Sequence, residues 1–94
     1  MTSKERAEWR KQAMKLESIV QIGKDGITPA LVHTVLQAIN NRELIKITVL
    51  ENSGEDVREI ADELATRTES EVIQVIGRKI VLYKYNPEKK RKEK

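Results

Sequence analysis

The sequence predicts a single α/β domain with an open sheet, in which the elements follow the order α-β-α-β-α-β-β. Two observations carry this prediction. The chain has 94 residues, which is the size of one small domain, and segments with helical apolar spacing alternate with short β-branched runs. Strands joined through helices favour right-handed crossovers within one sheet. We expect the domain to occupy residues 1–86 and to pack one helix layer against one sheet layer.

Capping signals mark the first two helices. Thr2 and Glu5 fit a capping box before residues 3–16, in which apolar side chains recur at helical spacing. Thr28 and Pro29 predict the start of a second helix, because threonine is a favourable N-cap and proline suits the first helical position. Apolar residues at helical spacing follow, and we expect this helix to end near residue 40.

Four runs of β-branched and alternating apolar residues are predicted to be strands. They are residues 18–22, 44–50, 71–76 and 80–85. Gly77, Arg78 and Lys79 separate the last two runs, and this short spacing predicts a β-hairpin. Between the second and third runs, Ser53 is a candidate N-cap for a third helix that ends by Thr68.

Charge is distributed unevenly along the chain. The net charge is +3, but residues 51–71 hold eight acidic and two basic residues. Residues 4–15 hold five basic and two acidic residues, and residues 78–94 hold eight basic and two acidic residues. Such asymmetry is typical of a protein with one face toward a polyanion, although ordinary charge scatter also produces it. Residues 87–94 are predicted to be a basic, disordered tail.

The composition disfavours enzyme and metal chemistry. Cysteine is absent and His33 is the one histidine, which excludes disulfides, thiolate zinc sites and cysteine nucleophiles. No apolar run approaches the roughly 20 residues that span a bilayer, and no apolar stretch follows the charged N-terminus as in a secretory signal. We therefore expect a cytoplasmic, monomeric protein that is not an enzyme and uses no cofactor, metal, membrane or small-molecule substrate.

The segment Gly23-Lys24-Asp25-Gly26 is the main candidate site. It leaves a predicted strand and enters the helix that Thr28 caps, and Thr28 is a candidate RNA contact together with these four residues. The two glycines permit unusual backbone angles and close approach of another backbone. The first N–H groups of the following helix form a ready site for phosphate, and Lys24 adds a positive charge. A Gly-x-x-Gly string alone is a weak signal, and it is neither a Walker loop nor a dinucleotide fingerprint.

Three blocks of sequence carry a family resemblance. They are residues 22–29, 43–47 and 74–83, in that order. With these blocks, the sequence from about Thr2 to Tyr85 resembles the CRM domain family (chloroplast RNA splicing and ribosome maturation). Within that family it is most similar to the free-standing bacterial members of the YhbY type.

The resemblance implies a fold similar to the C-terminal domain of bacterial translation initiation factor three. It also implies RNA binding and association with ribosomal RNA of a large-subunit precursor. The family's RNA-contact loop corresponds to residues 23–26, and KH domains use a Gly-x-x-Gly loop in a comparable way, to clamp about four nucleotides. Asp25 is unexpected in such a loop: it either bonds backbone N–H groups and holds the turn, or faces outward and weakens phosphate binding.

Further candidate RNA contacts are basic. They are Arg6, Arg10, Lys11 and Lys15 on the first helix, and Arg78, Lys79 and Lys84 around the hairpin. Two interpretations remain open for each group. The helix residues form either a solvated face or a stripe that follows phosphates, and the hairpin residues either protect solubility or bind RNA.

Aromatic and acidic residues allow other interpretations. Trp9 shares its spacing with apolar residues, which favours core packing over base stacking. Tyr83 and Tyr85 lie on one strand face and could stack bases, but three aromatic residues are few for such a platform. The acidic face of the third helix is solvated or serves a protein-interaction adaptor, which is the alternative function. A small nuclease is disfavoured because no carboxylates cluster on a loop.

Overall fold

The computed structural model describes residues 2–85. The predicted tail, residues 87–94, lies outside the described residues. The helices are α1 (Ser3–Ala13), α2 (Pro29–Arg42) and α3 (Val57–Thr68), with a short 3₁₀ turn at Glu51–Ser53. The strands are β1 (Ser18–Ile22), β2 (Leu44–Val49), β3 (Glu71–Ile76) and β4 (Lys79–Tyr83). The predicted order α-β-α-β-α-β-β is confirmed.

The four strands form one mixed sheet in the order β1-β2-β4-β3. β1 pairs with β2 in parallel, and β4 is antiparallel to both of its neighbours, β2 and β3. It follows that β1, β2 and β3 all run in one direction. Their C-terminal ends, and the N-terminal end of β4, therefore lie together. We call this edge the loop end of the sheet; it carries residues 23–26, 50–56 and 77–78.

Helices cover both faces of the sheet, so the expectation of a single helix layer was wrong. The larger core lies between the sheet and helices α2 and α3, and it includes Val35, Ile47 and Leu64. A second, smaller core lies on the opposite face under α1 and includes Leu44 and Val81. At one end of this second face the strands carry apolar side chains, and the apolar stripe of α1 packs over them.

Trp9 belongs to this second core, as its spacing predicted. Its ring stacks on that of Tyr83 with centroids 4.4 Å apart, and both rings pack against the buried cluster. Burial raises the pKa of the Tyr83 phenol, and the nearby Glu43 carboxylate raises it further. Tyr85 is exposed beyond the end of β4, so the two tyrosines do not form a shared stacking platform.

The predicted caps of α1 and α2 are confirmed, and that of α3 was wrong. Thr2 Oγ1 accepts a hydrogen bond from Glu5 N at 3.1 Å, and Glu5 Oε1 accepts one from Thr2 N at 3.1 Å. Thr28 Oγ1 accepts from Leu31 N, also at 3.1 Å. Ser53 instead lies buried in the 3₁₀ turn, and the N-cap of α3 is Asp56. Serine and aspartate are both favoured as N-cap residues, so the sequence alone did not distinguish Ser53 from Asp56.

Among residues 2–85, no helix is long and apolar enough to cross a membrane.

α1 is shorter than predicted, because it ends at Ala13 instead of near residue 16. Because α1 ends early, no helix among residues 2–85 covers the adjoining part of this sheet face.

Candidate nucleic-acid interface

The glycine loop, residues 23–26, is a closed turn at the loop end of the sheet. Gly26 N donates a hydrogen bond to the carbonyl oxygen of Gly23 at 3.0 Å. Lys24 and Asp25 lie exposed at its tip, and Gly26 has a φ of 64°, in the left-handed region that favours glycine. Within the described residues the Asp25 carboxylate has no hydrogen-bond partner, so its charge does not hold the turn. The backbone alone closes it.

The segment after β2 supports the glycine loop from behind. Leu50 N donates to the carbonyl oxygen of Ile22 at 2.8 Å, directly before the loop. A side-chain carbon placed on Gly23 would lie 3.7 Å from Asn52 Oδ1, and one placed on Gly26 would lie 3.3 Å from Glu55 Oε1. The loop is therefore packed against residues 50–55, and any phosphate held there meets the Glu55 carboxylate at close range.

The N-terminus of α2 offers less to an anion than the sequence suggested. Leu31 N donates to the Thr28 side chain and Val32 N to the Thr28 carbonyl oxygen at 3.0 Å, while Pro29 has no N–H. In the first turn of α2, Ala30 is thus the one residue that can donate its N–H outward. Thr28 acts as a helix cap, and the helix dipole still favours negative charge nearby.

Arg78 connects the hairpin turn to the segment that backs the glycine loop. Its Nε donates to the carbonyl oxygen of Val49 at 2.8 Å, and its Nη2 donates to that of Leu50. Val49 N returns a bond to the Arg78 carbonyl oxygen at 2.8 Å. Arg78 is half-buried. Arg78 is therefore a structural link in the loop end of the sheet, with its charge close to the candidate site.

Lys79 is at the loop end of the sheet, whereas Lys84 and Arg6 are at the opposite end. Lys79 Nζ donates to Thr48 Oγ1 at 3.3 Å at the loop end. Lys84 follows β4 at the other end, and its hollow also contains Glu5, Glu69 and Glu71. Arg6 donates from Nη1 to the carbonyl oxygen of Val72 and so ties α1 to β3. The fold therefore places Lys84 and Arg6 away from the glycine loop.

The remaining predicted contacts lie on and after α1. Arg10 and Lys11 are exposed in its last turn. Lys15 is exposed beyond the helix, in a shallow hollow that Lys46 and Arg42 also line. Lys46 was not among the residues predicted to contact RNA. Successive side chains alternate between the two faces of a strand, so Lys46 lies on the face opposite to that of Ile45, which is the face that also carries Lys79. This alternation was the sequence signal that could have identified Lys46.

The exposed face of α3 is acidic. The exposed face of α3 carries two ion pairs at i, i+4 spacing: Arg58 Nε lies 3.7 Å from Asp62 Oδ1, and Arg67 Nε lies 2.9 Å from Glu63 Oε2. Such pairs are typical of a solvated helix face. Among residues 2–85, no group of three or more histidine, aspartate and glutamate side chains is arranged to hold a metal ion.

The fold and the glycine loop define a class of small α/β domain with a Gly-x-x-Gly turn between a strand and a helix. A model of the CRS1/YhbY (CRM) domain matches residues 1–84, and the chain belongs to this family. The resemblance inferred from the three sequence blocks is thereby confirmed.

Two relatives are similar over nearly their whole length. The chain is 38% identical to "Probable RNA-binding protein YqeI" of Bacillus subtilis over 93 residues, which cover 99% of this chain and 97% of that protein. The solution structure of SAV1595 from Staphylococcus aureus, a hypothetical protein described as a candidate RNA binder, has a TM-score of 0.79 at 40% identity. That match covers 92% of this chain and 90% of the other.

A more distant relative is archaeal. The chain is 34% identical to "Probable RNA-binding protein MJ0652" of Methanocaldococcus jannaschii over 86 residues. These residues make up 89% of this chain and 63% of that protein.

Proposed function

We propose that this protein binds RNA by its phosphate backbone, with the glycine loop as the positioning centre. The observation that carries the proposal is the exposed, glycine-closed turn with Lys24 at its tip, in a family whose relatives are named as RNA-binding proteins. Backbone N–H groups and lysines hold phosphates without reading sequence, so recognition is of shape. This function needs no catalytic group.

Lys79 at the loop end, with Arg10, Lys11 and Lys15 on and after α1, would extend the phosphate contacts. Lys84 and Arg6 contribute little in this proposal, because they lie at the opposite end of the sheet and Lys84 shares its hollow with three glutamates. The Arg78 guanidinium already bonds two carbonyl groups, so its part is to hold the loop end in shape and to add charge.

We further propose that the RNA is ribosomal RNA of a large-subunit precursor and that the protein acts there as a cytoplasmic monomer. The support is the family resemblance. The test is sedimentation of cell extract through a density gradient at low and high salt. We expect the protein with the large-subunit precursor at low salt and at the top at high salt, since salt weakens phosphate contacts. Protein found only at the top at low salt would reject this assignment.

The binding test uses a fluorescein-labelled single-stranded RNA of about 12 nucleotides, followed by fluorescence anisotropy in a salt series. Lys24→Glu is expected to weaken binding roughly tenfold and to flatten the dependence of log Kd on log salt concentration. Lys4→Glu, an equal charge change at an exposed site on α1, is the control and should have a much smaller effect.

Gly23→Asp tests the backbone approach separately. Gly23 does not have a positive φ, and its nearest neighbours leave ordinary contact distance for a side chain, so this variant should fold. It places a carboxylate where phosphate is expected and should abolish binding while circular dichroism stays native. Unchanged affinity in both folded loop variants would remove the glycine loop from the function.

The protein-adaptor alternative is supported less well. It needs the acidic face of α3 to be available to a basic partner, and two of its carboxylates, those of Asp62 and Glu63, are already paired with arginines on the same helix. Charge reversal at Glu59 and Glu63 distinguishes the two functions, because it should break a complex with a basic partner only if the adaptor function holds.

A further inference from the structure

A cleft opens on the sheet face that carries α1, close to the loop end. α1 ends at Ala13, and among residues 2–85 no helix covers the part of the face beyond it. The cleft has a volume of about 140 Å³. Its principal lining residues are Met14, Lys46, Gln74, Ile76, Lys79 and Val81.

The walls of this open cleft are unusually apolar for an exposed surface. Met14 is 80% exposed and Ile76 is 62% exposed. Residues 2–85 contain four exposed large apolar side chains, and two of the four face this one cleft, one from the end of α1 and one from the end of β3. The buried Val81 forms the floor. Exposed apolar side chains that converge on one hollow indicate a binding site more strongly than scattered ones do.

The rim of the open cleft is cationic. Cross-strand pairing puts Lys46 and Gln74 on either side of Val81, and puts Lys79 beside Ile76, all on the same face. None of the lining residues is acidic. A flat apolar ligand that carries negative charge at its edges suits this combination, because the walls can stack on its faces while the lysines meet the charge.

The open cleft lies near the same end of the sheet as the glycine loop. Lys79 Nζ bonds to Thr48 Oγ1, and Thr48 is paired with Gln21 of β1, two residues before Gly23. With strands about 4.8 Å apart and a rise of about 3.3 Å per residue, the cleft lies roughly 15 Å from the loop. A polynucleotide whose phosphates contact the loop can therefore reach the cleft within a few nucleotides.

We propose that the open cleft holds one unpaired RNA base, stacked between Met14 and Ile76, with the flanking phosphates at Lys46 and Lys79. This inference rests on the proposed RNA binding and makes it more specific: the preferred ligand is single-stranded next to the segment that the loop grips. Methionine suits a site that accepts different bases, because its side chain is flexible and polarisable.

The experiment compares the full chain with the variants Met14→Ser and Ile76→Ser. Both side chains are exposed, so both variants should fold, and Tyr85→Ser removes an exposed apolar side chain at the opposite end as the matched control. The probes are the labelled single strand of about 12 nucleotides, the same strand paired with its complement, and a strand with abasic sites. Anisotropy gives Kd for each pair.

We expect Met14→Ser and Ile76→Ser each to weaken binding of the single strand by roughly threefold to tenfold. Duplex affinity should stay unchanged because its bases are already stacked, and the abasic strand should bind the variants and the unaltered chain alike. Tyr85→Ser should match the unaltered chain on all probes.

Three results would overturn this assignment. Equal losses on single strand and duplex would mean that the cleft contacts backbone and takes no base. Unchanged affinity in both cleft variants, with a loss in Lys24→Glu, would reject the cleft while RNA binding by the loop stands; a protein partner would then be the better explanation of its apolar walls. Absence of binding to every probe by the unaltered chain would reject the proposed function itself.

Discussion

The Arg78 guanidinium bonds the carbonyl oxygen of Val49 across 29 positions of sequence, with Nε 2.8 Å from that oxygen. It reaches the next carbonyl, that of Leu50, with Nη2. The planar fork of arginine therefore fixes the point where the chain leaves β2 and enters the segment behind the glycine loop. Arg78, which the sequence predicted to be an RNA contact, therefore also stabilises the fold at this point.

Arg78→Lys should destabilise the fold, because lysine keeps the charge but cannot bond both carbonyl groups with one planar group. We expect the free energy of unfolding to fall by about 1.5–3 kcal/mol, the range for hydrogen bonds that involve a charged group. Urea unfolding followed by circular dichroism measures it. Lys79→Arg, the reverse change at the exposed neighbour, should stay within about 0.5 kcal/mol. A stability of Arg78→Lys equal to that of the unaltered chain would contradict the structural role.

Gly26→Ala and Gly54→Ala form a matched pair, since both glycines have positive φ values, 64° and 71°. Each alanine should lower the free energy of unfolding by about 1–2 kcal/mol through left-handed strain. A side chain at Gly54 meets open space, whereas one at Gly26 lies 3.3 Å from the Glu55 carboxylate. The flexible end of Glu55 can move, so the two losses of stability should be similar.

The two alanine variants should differ in RNA affinity. Gly26 lies in the glycine loop and Gly54 does not, so we expect weaker binding in Gly26→Ala and little change in Gly54→Ala. Anisotropy with the same labelled single strand measures this. Equal affinities in the two variants would show that approach to Gly26 is not needed for binding.

Local signals made parts of this fold predictable from sequence. The cap residues Thr2 and Thr28 bond N–H groups three positions away, so their pattern is visible in a short window. The strand at residues 18–22 was predicted with its observed bounds, because a β-branched run stops at Gly23. The same logic failed at Ser53, since Asp56 is an equally good cap three positions later.

The arrangement of the candidate site could not be predicted in the same way. The approach of Glu55 to Gly26 depends on how the segment after β2 packs behind a loop that follows β1. The positions of Arg6 and Lys84 depend on strand order, which put both away from the glycine loop. Basic residues close in sequence, such as Lys79 and Lys84, lie at opposite ends of one strand. Charge counts along the chain carry no information on these relationships.

The capping box of α1 makes stability depend on pH. The Thr2 backbone N–H, and secondly its hydroxyl, lower the pKa of the Glu5 carboxyl below its ordinary value. Because the folded pKa is depressed, this contribution to stability is present above the ordinary glutamate pKa, and it is lost as the pH falls through the folded pKa. Nuclear magnetic resonance titration should place the Glu5 pKa below the ordinary value for a glutamate. Thr2→Val, which removes the hydroxyl, should move it part of the way back, and no movement would assign the whole shift to the backbone bond.

Glu55→Gln should increase RNA affinity, since it removes a negative charge beside Gly26 without changing the size of the side chain. Two unit charges about 4 Å apart interact by about 1 kcal/mol in water, so we expect Kd to fall roughly fivefold at low salt. The gain should shrink as salt is added, because screening weakens the repulsion that the carboxylate exerts on phosphate. Anisotropy at two salt concentrations measures both effects. The control is Glu59→Gln, which removes the same charge at an exposed position on α3. An equal gain in both variants would indicate a general effect of net charge, and would remove Glu55 as a neighbour that limits phosphate binding at the glycine loop.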